Sequence, residues 1–273
     1  MPLITISENL GSGGLSIARQ VAEKLDVILY DDDRLQKEAV ELGIRAEDIK
    51  IGLDEKAPGL FDQILGKRPD IYMDFMEALV YEVSRRGDGI VIGHCSQMLL
   101  RDFGCALHVR IHSPLAARIQ NLTKHQGVSS ETAEKLIRKS DHERSGFFKF
   151  NFHMDLNDSS LYDLIINTDK IGENTAVRFI VDLAASEEIK ACSLTALETM
   201  ERLALGKKVH AELLKSDIDL KFLHIDVPEP GIAKISGMVL TTDDQARIKE
   251  IVESVAGVSS VQSNVVLMPT GYS

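Results

Sequence analysis

Three cysteines, Cys95, Cys105 and Cys192, are all that a chain of 273 residues contains. They show no CxxC spacing and no neighbouring histidine pair, so neither a disulfide framework nor a zinc site is predicted, and a reducing compartment is expected. No run of about 18 apolar residues occurs, which argues against an integral membrane segment. The opening MPLITISENLGSGG lacks a basic stretch before an apolar one, so no secretory leader is expected and the protein reads as soluble and cytoplasmic. Basic charge is short as well: 31 Lys+Arg against 42 Asp+Glu leave a net charge of −11. That balance argues against a nucleic-acid partner and against coating of acidic membranes.

What is present is a globular composition, 44% hydrophobic, in a length that suits one large domain or two ordinary ones. The charge is uneven. Residues up to 188 carry 22 basic and 31 acidic side chains, yet residues 101–149 within them carry 9 basic and 5 acidic, a positive island in an acidic segment.

Short β-branched runs alternate with helical patterns, which predicts βαβ units and a parallel sheet. Strands are expected at Leu3–Ser7, Val27–Tyr30, Ile90–Gly93, Leu107–His112 and Asp163–Thr168, with helices at Leu15–Leu25, Pro114–His125, Ser130–Arg144 and Glu173–Ser186. The runs Ile90–Ile92 and Leu164–Ile166 do not alternate, as suits strands covered on both faces. From Asp33 to Arg86 the pattern is helical and polar, broken at residues 56–59 and 67–70. A small helical insert over one sheet edge, or two ordinary packing helices, would account for it. After about residue 188 the order becomes α-β-β-α-β over Leu194–Leu214, Phe222–Val227, Ile232–Leu240, Thr242–Val255 and Val258–Leu267. The predicted organisation is therefore two domains, 1–188 and 189–273.

Ile4 to Ser16 runs from a strand through Gly11, Gly13 and Gly14 into a helix. Glycines allow a sharp turn, and the N–H groups of a helix start hold an anion; a tight helix-capping loop is the other reading. Aligned with the phosphate-loop formula, Gly14 stands where lysine belongs and Leu15 where the metal-binding hydroxyl belongs, with Ser16 the nearest hydroxyl. Either another cation replaces the lysine or phosphoryl transfer is impaired.

The stretch Ile6–Gly14, the following Ile17–Leu25 and Tyr30-Asp31-Asp32, together with Val91-Ile92-Gly93, Leu107–Ile111, Glu134–Asp141 and Ser160–Thr168, resembles the cytidylate kinase-like family, relatives of the nucleoside monophosphate kinases. The resemblance implies an α/β fold: a five-stranded parallel sheet of P-loop kinase type with a helical insert and a lid. It implies ATP and Mg²⁺ as cofactors and a nucleoside monophosphate such as CMP as acceptor. Gly11, Ser12, Gly13, Gly14, Leu15 and Ser16 would hold donor phosphates, with Ser16 and Asp31 also serving the metal. Asp31 is open to a second reading, as the cap of the helix that follows. The lid would bring Arg144 and Lys149, and the Pro114 helix Arg118, to the developing charge. Relatives often carry Gly-Arg after the third strand to hold the acceptor phosphate; here the residues are Gly93-His94-Cys95, and His94 can offer a hydrogen bond but no guanidinium fork. Phe147, Phe148, Phe150 and Phe152 suit a stacking platform, a lid strand or plain packing.

Residues Leu194–Met268 resemble a BON domain, on Gly231–Val239, Asp243–Val255 and Val255–Val258 leading to Val261–Asn264. This resemblance implies a small α+β module with a ligand or protein partner. The kinase reading has one rival, a catalytically weakened nucleotide-binding protein that acts through this module.

Overall fold

The structure, a computed structural model, describes residues 3–41, 69–189 and 191–269. Its first part contains β1 (Leu3–Glu8), α1 (Gly14–Leu25), β2 (Leu29–Tyr30), α2 (Asp32–Glu41), α3 (Pro69–Ser84), β3 (Gly89–Ile92), α4 (Ser96–Leu99), β4 (Ala106–His112), α5 (Leu115–Gln126), α6 (Ser130–Phe152), β5 (Leu164–Asn167) and α7 (Glu173–Ala184). The five strands pair in the order β2-β3-β1-β4-β5, every pair parallel. This is the expected sheet, with strand ends shifted by two residues at most. Ile4 and Ile6 of β1 pack with Ile17, Val21, Val177 and Ile180 of α1 and α7 on one face. Tyr30, Leu35, Phe75, Leu79, Val91 and Phe148 fill the other. Cover on both faces is why β3 carries a continuous apolar run; β5, an edge strand, leaves Ile165 exposed, so its run is not covered on both faces as expected. The insert is described only as α2 and α3; the break expected at residues 56–59 lies outside the described residues, as do residues 67 and 68 of the second break, whose Pro69 and Asp70 open α3.

Helix α6 starts where expected, capped by the Ser129 hydroxyl that accepts from the Thr132 N–H at 3.2 Å, but it continues to Phe152 rather than stopping at Arg144. The phenylalanines therefore form neither a lid strand nor an open platform. Phe147 and Phe148 are buried in the core, and Phe148 stacks on Phe152 at 5.0 Å between ring centroids. Helical spacing turns a pair of adjacent aromatics inward, and burial of each contributes on the order of 2–3 kcal/mol.

The second part consists of α8 (Leu194–Leu214), β6 (Leu223–Glu229), β7 (Ile232–Val239), α9 (Thr242–Ser254) and β8 (Ser260–Leu267). Strand β7 pairs antiparallel with β6 and parallel with β8. Leu205, Val209, Leu213, Ile235, Ile248 and Val252 make its core. The opposite side of α8 lies on the first part: Met200 and Ala204 join Leu3, Val80, Tyr81 and Leu100 in one buried cluster. Lys207 pairs with Glu77 at 2.7 Å and Lys208 with Glu82 at 3.2 Å along the seam with α3, where His210 also meets the buried Asp74.

The expectation for the cysteines is corrected here. Cys105 and Cys192 form a disulfide across 87 residues of sequence, while Cys95 is buried apart from it. The spacing carried no sign of the pair because the two sulfurs meet only through the docking of α8 on α3 and the β4 end of the sheet. Among the described residues, no helix is long and apolar enough to cross a membrane.

Candidate functional site

A cleft of about 550 Å³ opens at the carboxyl ends of β1, β2 and β3, the edge where open parallel sheets bind ligands. Asp31, Asp32 and Asp33 at the start of α2 form one wall, Gly93 and His94 after β3 the floor, and Glu143 and Arg144 of α6 the roof. Glu8 and Arg19 face it from β1 and α1.

Leu10 and Leu15, on either side of the glycine loop, line this cleft, whereas Gly11 to Gly14 are not among its lining residues. Gly11 and Gly13 have φ of 85° and 83°, a region that favours glycine. A Cβ on Gly11 would also stand 2.5 Å from the Leu122 side chain. Helix α1 then starts at Gly14 with its N–H pointing into the loop. That N–H donates to Glu8 Oε2 at 2.7 Å, and the Ser12 hydroxyl donates to the same oxygen at 3.4 Å. Burial pushes the Glu8 carboxyl above the ordinary range, against the Arg144 charge and these hydrogen bonds. The loop thus presents the Gly14 N–H and the Ser12 hydroxyl to an acceptor oxygen, here that of Glu8.

Arg144 reaches down from α6 and donates to the Glu8 carbonyl at 2.6 Å. A cation thereby lies over the loop whose own sequence has glycine in place of lysine. His94 is buried, and its Nε2 meets Asp32 Oδ1 at 2.8 Å. The hydrogen bond from His94 holds the Asp32 carboxyl below its usual value, with burial opposing and the charges of His94 and Arg144 assisting. His94 and Cys95 both adopt positive φ, 54° and 52°, strain that non-glycine residues keep where the surroundings fix them.

The other expected residues lie elsewhere. Arg118 does not line the cleft: its guanidinium forks onto Asp141 at 2.9 and 2.8 Å and reaches the Leu10 carbonyl at 3.5 Å, with Asn9 donating to the same Asp141. It ties α5, α6 and the loop together. Lys149 is exposed on α6 outside the cleft. Ser16 donates to Glu173 at 2.7 Å, so its hydroxyl serves the start of α7. Asp31 caps α2 by accepting the Arg34 N–H at 3.1 Å and pairs with Arg19 at 3.6 Å, while still facing the cleft. Lys135, Arg138 and Lys139 pair with Glu131, Glu134 and Glu143 along the surface of α6, pairs that contribute little each. Arg110 of β4, buried, donates to Ser7 at 2.6 Å and Asn9 at 3.1 Å and braces the loop from below.

A nucleotide with its metal fits this set. The Gly14 N–H donates to an anionic oxygen in the geometry just described, and three aspartates provide the hard oxygen ligands that Mg²⁺ takes. Among the described residues no group of three or more His, Cys, Asp or Glu is already arranged around a metal position.

The sequence profile of the cytidylate kinase-like family matches residues 3–170. The chain belongs to this family. Among its relatives, the cytidylate kinase of Pyrobaculum islandicum is 25% identical over 183 residues, 67% of this chain and 92% of that one. The cytidylate kinase of Methanothrix thermoacetophila is 26% identical over 189 residues, 69% and 99% of the two chains. A crystal structure of an uncharacterized protein from Eubacterium ventriosum shares the fold, with a TM-score of 0.53, 21% identity, and 68% and 100% coverage.

In this member of the cytidylate kinase-like family, the expected residues Leu15, Asp31, His94 and Arg144 line the cleft together with Glu8, Arg19, Asp32 and Glu143. Asp32 was within reach, as the middle of three aspartates at a strand end. A carboxylate at position 8, before the glycines, says nothing by itself of where its oxygen turns.

Proposed function

We propose that this chain is a phosphotransferase that moves the γ-phosphoryl group of ATP, with Mg²⁺, to a nucleoside monophosphate, CMP being the acceptor that the names of its relatives put first. The observation that carries the reading is Arg144 lying on the carbonyl of Glu8, a guanidinium over a phosphate loop that lacks its lysine. When bound, the metal and the triphosphate supply the transferable group and neutralise part of its charge. The chain's own share is positioning and electrostatics. Amides of Gly11 to Leu15 would orient the donor phosphates, Arg144 would face charge developing on the equatorial oxygens, and Asp31 and Asp32 would hold the metal or acceptor through water. Helix α6 would keep bulk water away. Arg118 would act by holding α6 to the loop. The cytoplasm is the compartment proposed for this work.

A coupled assay with CMP, dCMP, UMP and AMP tests the reading. Turnover with one of them should fall about a hundredfold or more in Arg144→Ala, with partial recovery in Arg144→Lys. No turnover with any acceptor, alongside measurable ATP binding, rejects it and favours the second reading, a nucleotide-binding regulatory protein. The specific observation on that side is α8 seated on α3, which joins residues 189–273, read as a BON-like domain with its own partner, to the insert beside the cleft.

A further inference from the structure

The phosphate-loop formula begins with glycine and ends Gly-Lys-Ser/Thr. With Gly13 as its last glycine, the formula's first glycine falls at Glu8, lysine at Gly14 and the hydroxyl at Leu15. The two charge departures meet in space. Relative to that formula the loop lacks a cation and carries a carboxylate, and that carboxylate is folded into the loop, 2.7 Å from the Gly14 N–H and 3.4 Å from the Ser12 hydroxyl. A Cβ built on Gly14 would lie 2.6 Å from Glu8 Oε2, so glycine at the lysine position is what lets the carboxylate in.

We infer that Glu8 is a built-in occupant of the donor-phosphate nest, which a nucleotide must displace, and that it sets the affinity and selectivity of the loop for phosphates. The inference rests on the reading of this loop as the donor site. Buried N–H groups need acceptors; in the unliganded chain Glu8 supplies one, and keeps the loop in its anion-holding shape. Binding is then an exchange of anions. The incoming phosphate gains the Gly14 N–H and Ser12 contacts, Glu8 loses them, and the displaced carboxylate stays near the ligand with its charge. Arg144, which donates to the Glu8 carbonyl, is placed to meet whichever anion occupies the nest. Net affinity for phosphate is therefore lower than the nest alone would give, and lowest for a phosphate that arrives without a cation.

The test is titration calorimetry of the full chain with MgATP, metal-free ATP and magnesium pyrophosphate, comparing wild type with Glu8→Ala and Glu8→Gln. Thermal melts alongside establish that each variant is folded. Charge-assisted hydrogen bonds are about twice as strong as neutral ones, so Glu8→Ala is expected to bind MgATP and pyrophosphate about tenfold tighter, with Glu8→Gln between it and wild type. The gain should be larger for metal-free ATP. Binding by the variant where wild type shows none supports the inference equally. If wild type binds MgATP and folded Glu8→Ala binds it equally or less well, the inference fails while the kinase reading stands. If no form binds ATP or pyrophosphate, both fail together. Should Glu8→Ala not fold, Glu8→Gln alone decides, and unchanged or weaker affinity in it overturns the proposal.

Discussion

Two carboxyls of the same cleft are pushed in opposite directions by their surroundings. Asp32, exposed at the rim, is held low by the His94 hydrogen bond, whereas burial holds Glu8 high. These shifts act on stability with opposite signs. Glu8, raised in the folded chain, favours the fold at low pH, and that contribution is lost as pH rises through its folded value. For Asp32 the contribution is present above its ordinary 3.8 and lost as pH falls through the lowered value. Glu82 behaves like Asp32: burial pushes it up, but Lys208 and Arg85 overcome this and hold it low. Burial also pushes His108 below its ordinary 6.5, so the unfolded chain binds a proton first. Stability should therefore begin to fall as pH drops below about 6.5 and fall further through the carboxylate range. Urea unfolding at pH steps from 8 to 4 measures this, and His108→Gln should flatten the first stage; an unchanged slope there would count against it.

At the scale of elements, α6 does two jobs through residues three apart. Arg144 points into the cleft, and Asp141 is gripped by Arg118 from α5. The Arg118 pair is buried on the arginine side, and removing one partner of such a pair leaves an uncompensated charge. Because the Asp141 side chain left behind is 34% exposed, Arg118→Ala is expected to cost about 1.5–3 kcal/mol in chemical denaturation, and to loosen α6 enough to raise backbone amide exchange in residues 137–144. A loss of activity with neither change would instead put Arg118 in contact with substrate. The extent of α6 also shows where local pattern stops being informative. Ser129 and Glu131 mark its start, because capping is a local event. Nothing local stops it at Arg144, and its continuation to Phe152 depends on the core that receives Phe147 and Phe148.

Across the whole molecule, the second sheet is joined to the first by an apolar cluster, a polar seam and one disulfide. In the chain-entropy view, a crosslink spanning 87 residues stabilises by restricting the unfolded chain, typically by about 2–4 kcal/mol. Cys192→Ser should lower stability by that order under oxidising conditions and have no effect in excess reductant. Thiol counting on the unfolded chain should give one reactive cysteine without reductant and three with it. In a reducing compartment the pair would stand open as two thiols, and the Met200 and Ala204 contacts with the Lys207 and Lys208 ion pairs would hold α8.

The sequence by itself determined the parallel sheet, the glycine loop, the start of helix α6 and the α-β-β-α-β order after it. These follow from hydrophobic period, caps and glycine, which act within a turn or a strand. Only the tertiary structure decided which residues meet. Arg118, read from its helix as a cation for the site, is taken up by Asp141. Cys105 finds Cys192, and Arg144 reaches the Glu8 carbonyl from 136 residues further along the chain. Each of these contacts depends on the direction of a side chain after distant elements have docked, and the spacing along the chain carries no record of that direction.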